Sequence, residues 1–159
     1  MEEKIMEQRE ALKELEKRLG ERSVAARLSE DGAVLTVLLP EIIKGKDLFA
    51  DILFYPQQEG MEGVSFASFR IELMEKTDVQ EEKILSFCEK LSAVNNELLI
   101  GGYGLELPDG GLPFGRLVFS TVVPMIAGIR GECMTDMLEN ALTTVYGTLS
   151  DTLEAVLNE

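Results

Sequence analysis

NNELLIGGYGLELPDGGLPFGRLVFSTVV, residues 95–123, predicts two long strands that reverse at a tight tip. Residues 108–111, PDGG, supply the proline, aspartate and glycines that reversing chains use. Glycines at 101, 102 and 104 leave the middle of the first strand without side chains, which is typical of a β-bulge or a close backbone approach. Clustered glycines can also hold a phosphate, but this spacing fits neither a P-loop nor a dinucleotide fingerprint, and a strand follows rather than a helix. The stretch therefore predicts architecture and contains no obvious reactive group.

One helix and four strands are predicted in the first half of the chain. Residues 2–19 carry a narrow apolar stripe at helical spacing, and Gly20 fits as the stop signal. The stripe would also suit a coiled-coil seam, but it spans fewer than three heptads, so we expect docking on the body of the protein. The predicted strands occupy residues 24–28, 33–39, 48–55 and 64–74, with a hairpin turn at 30–32 and a polar connection at 41–47.

Two further helices are predicted, one on each side of the hairpin. The first follows a capping box at residues 77–81 and runs to about Val94, with Ile84, Phe87, Cys88, Leu91 and Val94 on its inward face. The last should occupy about 132–157. Its apolar stripe is wider than one sheet contact requires, which predicts a homodimer interface that includes Leu142, Val145, Leu149 and Leu153. Apolar residues on both faces of the strand at 117–123 predict that it is covered on both sides.

Composition excludes several classes of function. Twenty-nine acids against fifteen bases give a formal net charge of −14, which disfavours nucleic acid and anionic membrane surfaces as partners. The absence of histidine excludes histidine-based triads and most zinc sites. Cys88 and Cys133 lack CxxC spacing, so we expect free, mostly buried thiols and neither a zinc nor a redox motif. No apolar run reaches a membrane span and no signal peptide is recognisable, which predicts a cytoplasmic protein. Because the metal, redox and nucleotide motifs are missing, we expect no cofactor and no metal.

The order of elements predicts an α+β fold in one domain, residues 1–159: an antiparallel sheet flanked by an N-terminal helix, a middle helix and a C-terminal amphipathic helix. From about Ile84 onward, the pieces LSAVNN, IGGYGLEL, PDGG, GRLVFSTVV and TDMLENALTTVYGTLSDTLEAVL follow one another. In these pieces the chain resembles the type III secretion chaperone-like superfamily, and within it the YbjN-like bacterial proteins, described as sensory transduction regulators. The resemblance implies a small, acidic, cytoplasmic and commonly dimeric protein that binds client segments. Four strands before the middle helix depart from the three that are usual in the chaperones.

Two functions are open at this point. The first is a non-enzymatic interaction protein, chaperone-like or regulatory, that holds an extended, neutral or basic segment of a partner by strand addition. Its predicted contacts are Leu105, Leu107, Leu117 and Phe119. The second is a metal or small-ligand binder, or an enzyme, that uses carboxylates such as Glu72 with Glu75 or Asp136 with Glu139. Because 29 acids produce such pairs by chance, a solvated face is the simpler explanation for them, and we expect no catalytic activity. The strand residues Arg70 and Arg116 are candidates for a buried ion pair or a recognition point.

Overall fold

Three helices and a six-stranded antiparallel sheet make up the structure, a computed structural model that describes residues 2–74, 84–106, 116–126 and 132–158. In chain order the elements are α1 (Glu2–Glu21), β1 (Ala26–Leu28), β2 (Val34–Ile43), β3 (Lys46–Phe54), β4 (Val64–Met74), α2 (Ile84–Asn95), β5 (Gly102–Glu106), β6 (Arg116–Ile126) and α3 (Glu132–Leu157). The strand order in the sheet is β1-β2-β3-β4-β6-β5. The predicted α+β class and the predicted order of the elements are confirmed.

The core lies on one face of the sheet, where side chains alternate inward along each strand. Register places Ile52 opposite Phe69, and Ile71 opposite Phe119, so that large apolar side chains stand side by side across three strands. Phe69, Ile71 and Phe119 are fully buried. All three helices contribute to the same buried cluster, which identifies this side of the sheet as the helix-covered face.

The wide apolar stripe of the C-terminal helix α3 is buried within the chain. Leu142, Val145, Leu149 and Leu153 are all buried in the core, because α3 packs on α1 and α2 as well as on β2. The predicted interface on these four residues therefore has no exposed side chain to offer a second copy. Homodimerisation itself stays a prediction, and it needs a different surface.

Other local predictions need correction. The residues predicted as a polar connection at 41–47 are mostly strand: β2 and β3 meet at a two-residue turn, Lys44–Gly45, in which Gly45 has a φ of 77°.

Both cysteines are free thiols, but Cys88 and Cys133 are exposed rather than buried. Among the described residues of α2, only Leu91 is buried, so its predicted inward face is covered less completely than the periodicity suggested. The capping box predicted at 77–81 and the hairpin tip at 108–111 lie outside the described residues. None of the described helices is long and apolar enough to cross a membrane.

Candidate functional site

The sheet face opposite the helices, which we call the open face, carries many apolar side chains. Three of them are strongly exposed: Phe49 at 50%, Val122 at 46% and Ile126 at 69% of their surface. In the described parts of the chain, each helix packs on the other face. β6 was predicted to be covered on both sides, and this is wrong for its open-face residues Ser120, Val122, Pro124 and Ile126, which are exposed.

Strand register gathers the apolar residues into one end of the open face. Leu53 lies opposite Ser68, which lies opposite Val122, while Phe66 pairs with Pro124 and Val64 with Ile126. These neighbours form a contiguous surface across β3, β4 and β6. We call it the apolar patch and define it as Leu53, Val64, Phe66, Val122, Pro124 and Ile126.

A polar row borders the apolar patch. The residues Thr36, Asp51, Arg70 and Ser120 face one another across four neighbouring strands. The hydroxyl of Thr36 donates a hydrogen bond of 2.7 Å to Asp51 Oδ1. An apolar centre with a polar margin is the usual composition of a protein-binding surface.

A charged cluster continues from the polar row to the β5 edge. Arg70 donates to Glu72 at 2.6 Å and to Glu106 at 2.5 Å, and Arg116 donates to Glu72 at 3.1 Å. The hydrogen bonds that Arg70 donates to Glu106 and Glu72 raise the pKa of Arg70, and the bond that Glu72 accepts from Arg70 is the main cause that lowers the pKa of Glu72. Arg70 and Arg116 therefore belong to a partly exposed network in which the charges neutralise one another, rather than to a buried ion pair.

The Glu72 network predicts a small dependence of stability on pH. Because the pKa of Glu72 is lowered in the folded state, its stabilising contribution is present above the unfolded-state pKa and disappears as the pH falls through the folded-state pKa. Glu72→Gln should therefore cost no more than about 1 kcal/mol at pH 7, since these side chains are partly exposed, and the difference from the parent should shrink as the pH is lowered from 7 toward 3. Urea unfolding at both pH values measures this. Glu97→Gln, at an exposed carboxylate outside the sheet, is the control, and an equal effect of the two variants at pH 7 would contradict the assignment.

Both edges of the sheet are held by side chains from helices. At the β1 edge, the backbone N–H of Leu28 donates to Glu16 Oε2 of α1 at 2.5 Å. At the β5 edge, the Asn95 side chain imitates a neighbouring strand: Tyr103 N–H donates to Asn95 Oδ1 at 2.7 Å, and Asn95 Nδ2 donates to the Tyr103 carbonyl at 2.9 Å. A guest strand would have to displace these groups before it could pair with the sheet at Leu28 or Tyr103.

Asn95→Ala should destabilise the protein by about 1–3 kcal/mol, because it leaves the N–H and the carbonyl of the buried Tyr103 without their partners. Chemical denaturation followed by far-UV circular dichroism measures the loss. The neighbouring Asn96 has an exposed side chain, so Asn96→Ala should change stability by less than about 0.5 kcal/mol. Equal losses in the two variants would mean that the amide of Asn95 does not hold the β5 edge.

The residues predicted to contact a partner do not lie on one surface. Leu117 and Phe119 are 0% exposed and belong to the core, so they offer no surface to a guest. Leu105 is half-buried and packs against the core, and Leu107 lies outside the described residues. The open-face residues Val122 and Ile126 were missed. The alternation of side chains along β6 indicates two apolar faces, and the burial of each residue shows which face is exposed.

The three candidate carboxylates that the structure describes are engaged in ion pairs. Glu72 belongs to the charged cluster, and Glu75 lies outside the described residues. Asp136 accepts from Arg18 of α1 at 2.5 Å, and Glu139 contacts both Arg18 and Arg22, which ties α1 to α3. Within the described ranges, no group of three or more cysteine, aspartate or glutamate side chains could hold a metal ion.

Comparison with known proteins finds similarity in structure rather than in sequence. No family model and no curated protein matches the sequence. A solved structure of YbjN from E. coli, described as a candidate transcription regulator, superposes with a TM-score of 0.51 at 15% identity, over 90% of this chain and 91% of YbjN. The resemblance that the sequence carries from Ile84 onward is therefore confirmed at the level of architecture: the chain has the YbjN-like fold.

Proposed function

We propose that this chain is a non-enzymatic interaction protein, regulatory or chaperone-like, that receives a partner protein on the open face of its sheet in the cytoplasm. The apolar patch carries this proposal. Exposed apolar surface with a polar margin is typical of a protein-binding site. The patch lies on an exposed sheet face, whereas small-molecule sites are concave and enclose most of their ligand.

Charge on the open face specifies the partner further. The charged residues at open-face strand positions are three arginines and four acids: Arg27, Arg70, Arg116, Asp47, Asp51, Glu72 and Glu106. Three positive and four negative charges leave a net charge of −1 on this face, against −14 for the whole chain. A nearly neutral face does not select a basic guest at contact, so we propose a partner with an apolar and weakly charged surface.

The two edges of the sheet favour one way of holding the partner over another. Strand addition has less support than contact across the open face, because Glu16 and Asn95 occupy main-chain groups at the two sheet edges. An extended segment of the partner would then rest its side chains on the apolar patch. A second copy of this chain also has an apolar and nearly neutral surface, and light scattering near 35 kDa, twice the 17.6 kDa of one chain, would identify it as the partner.

Site-specific photo-crosslinking tests the proposed surface. A photoreactive phenylalanine analogue at Val122 should form covalent adducts with protein in native cytoplasmic extract, and adding Ile126→Asp should abolish them. The same analogue at Leu99, a fully exposed residue between α2 and β5, is the matched control and should give few adducts. Equal adducts from positions 122 and 99, or adducts that persist with Ile126→Asp at unchanged thermal stability, would remove the open face as the docking surface.

A further inference from the structure

A recess lies away from the open face, between the N-terminal half of α1 and one end of the sheet. We call it the α1 groove. Its volume is about 560 Å³, and its walls include Lys4, Gln8, Arg9, Leu12, Phe54 and Tyr55. This volume lies within the range of about 300–1,000 Å³ that is usual for small-molecule sites.

One end of the α1 groove is closed by polar contacts between α1 and the β3–β4 connection. The ammonium of Lys4 donates to Gln57 Oε1 at 2.6 Å and to the carbonyl oxygens of Glu62 and Val64 at 3.0 and 3.4 Å. One turn further along α1, Gln8 donates to the hydroxyl of Ser65 at 3.1 Å. These bonds tie the N-terminal half of α1 to the end of the sheet.

The floor of the α1 groove is apolar. Leu12 is 1% exposed, and Phe54 packs against the same buried core. Tyr55 and Ile5 flank the floor as half-exposed apolar walls. A hydrocarbon chain placed here would cover apolar surface that is otherwise in contact with water.

Arg9 forms the other end of the groove. Its aliphatic stem lies over the β1–β2 turn, since a Cβ added to Gly32 would be 3.7 Å from Arg9 Cγ and Cδ. Asp31, in the same turn, is already held by the Ser29 hydroxyl at 2.6 Å and the Ala33 N–H at 3.1 Å, and these bonds are the main causes that lower its pKa, with a smaller contribution from the charge of Arg9. Within the described part of the chain, the Arg9 guanidinium has no hydrogen bond or ion pair of its own. Its donors are therefore available to a ligand.

The sign of charge in the groove differs from the rest of the molecule. Two bases, Lys4 and Arg9, and one acid, Glu62, line it, whereas the chain as a whole has 15 bases and 29 acids. The Glu62 carboxylate is itself stabilised by backbone N–H groups, which are the largest causes that lower its pKa. The groove is thus a locally basic recess with an apolar floor.

We propose that the α1 groove binds a small organic acid with an apolar chain, its carboxylate on the Arg9 guanidinium and its chain over Leu12 and Phe54. An arginine guanidinium matches a carboxylate with two parallel hydrogen bonds, which fixes the orientation of the ligand. This site is independent of the partner surface on the open face.

Titration calorimetry with decanoate, below its micelle concentration, tests the proposal. Decanoate should bind with one site per chain, and Arg9→Gln should weaken binding about tenfold through loss of the charge-assisted bonds. Arg27→Gln, at an exposed arginine on the open face, is the matched control and should leave affinity unchanged. Decyltrimethylammonium, with the same chain and the opposite charge, should not compete.

A second variant tests the groove without changing charge. Ala33→Phe places a ring in the groove wall and should abolish decanoate binding, while a thermal melt shows whether the variant is folded. Val122→Ser with Ile126→Ser should leave binding intact, because those residues lie on the open face. Undetectable decanoate binding, equal affinity of the Arg9→Gln variant and the parent, retained binding in a folded Ala33→Phe variant, or loss on changing the open face would each overturn the proposal.

Discussion

Alanine in place of Gly101 is expected to lower the free energy of unfolding by about 2–5 kcal/mol, the sum of a strained backbone conformation and a steric overlap. Gly101 has a φ of 72°, in the left-handed region that side chains disfavour. A Cβ there would lie 2.6 Å from Phe119 Cζ and 2.8 Å from the Ser120 carbonyl oxygen. Neither neighbour can retreat easily, because Phe119 is fully buried and Ser120 is part of the β5–β6 ladder. Urea unfolding measures the loss.

Gly104→Ala supplies the control for Gly101. Gly104 lies in β5, three residues after Gly101, and has no positive φ, and a Cβ added there would meet no atom within 4 Å apart from its chain neighbours. Its replacement should therefore change stability by less than about 1 kcal/mol in either direction. Similar losses at both positions would show that the close approach at Gly101 is not what the hairpin requires.

Phe119→Ala is expected to cost about 3–5 kcal/mol, the usual range for deleting a buried phenylalanine side chain. Phe119 is 0% exposed, lies opposite Ile71 and Tyr103 in register, and meets the Tyr103 ring edge to face at a centroid distance of 5.1 Å. Thermal and urea unfolding should show the loss. Any fall in partner capture by this variant would then follow from unfolding and would not identify a contact.

Val122→Ala separates the two faces of the same strand. Val122 is three residues beyond Phe119, on the open face, and is 46% exposed. Its replacement should cost less than about 1 kcal/mol because little apolar surface is buried there. A loss as large as that of Phe119→Ala would mean that the open face is covered in the folded protein, and the proposed docking surface would fail with it.

Several elements could be predicted from residue pattern alone. The last helix was expected at about 132–157 and occupies Glu132–Leu157, because its apolar positions recur at three and four residues without interruption. The hairpin turn at 30–32 is confirmed, since Gly32 takes the left-handed φ of 71° that a tight reversal needs. These are local signals, and local chemistry is sufficient to produce them.

The candidate site could not be predicted in the same way, because it depends on how the elements are arranged. Leu117, Val118, Phe119 and Val122 are all apolar, and period-two alternation does not state which set the helices cover. The stripe on α3 looked too wide for a sheet because its contacts with α1 and α2 were unknown. Cys88 shares the helical spacing of buried residues, yet the element it belongs to is only lightly covered. Asn95 and Glu16 gave no sequence signal for their hydrogen bonds to the sheet edges.

The hydrogen bonds that Glu16 and Asn95 make with the backbone of Leu28 and Tyr103 also affect how this protein behaves when it is concentrated. Sheet edges with unpaired backbone groups let two sheets join edge to edge, and a molecule with two such free edges can polymerise without limit. Here each edge is held by one helix side chain, Glu16 at Leu28 and Asn95 at Tyr103, so the loss of one side chain frees one edge only. Joining through a single free edge ends at a pair of molecules, so aggregation of a Glu16→Ala variant should stop at closed dimers rather than continue into fibres.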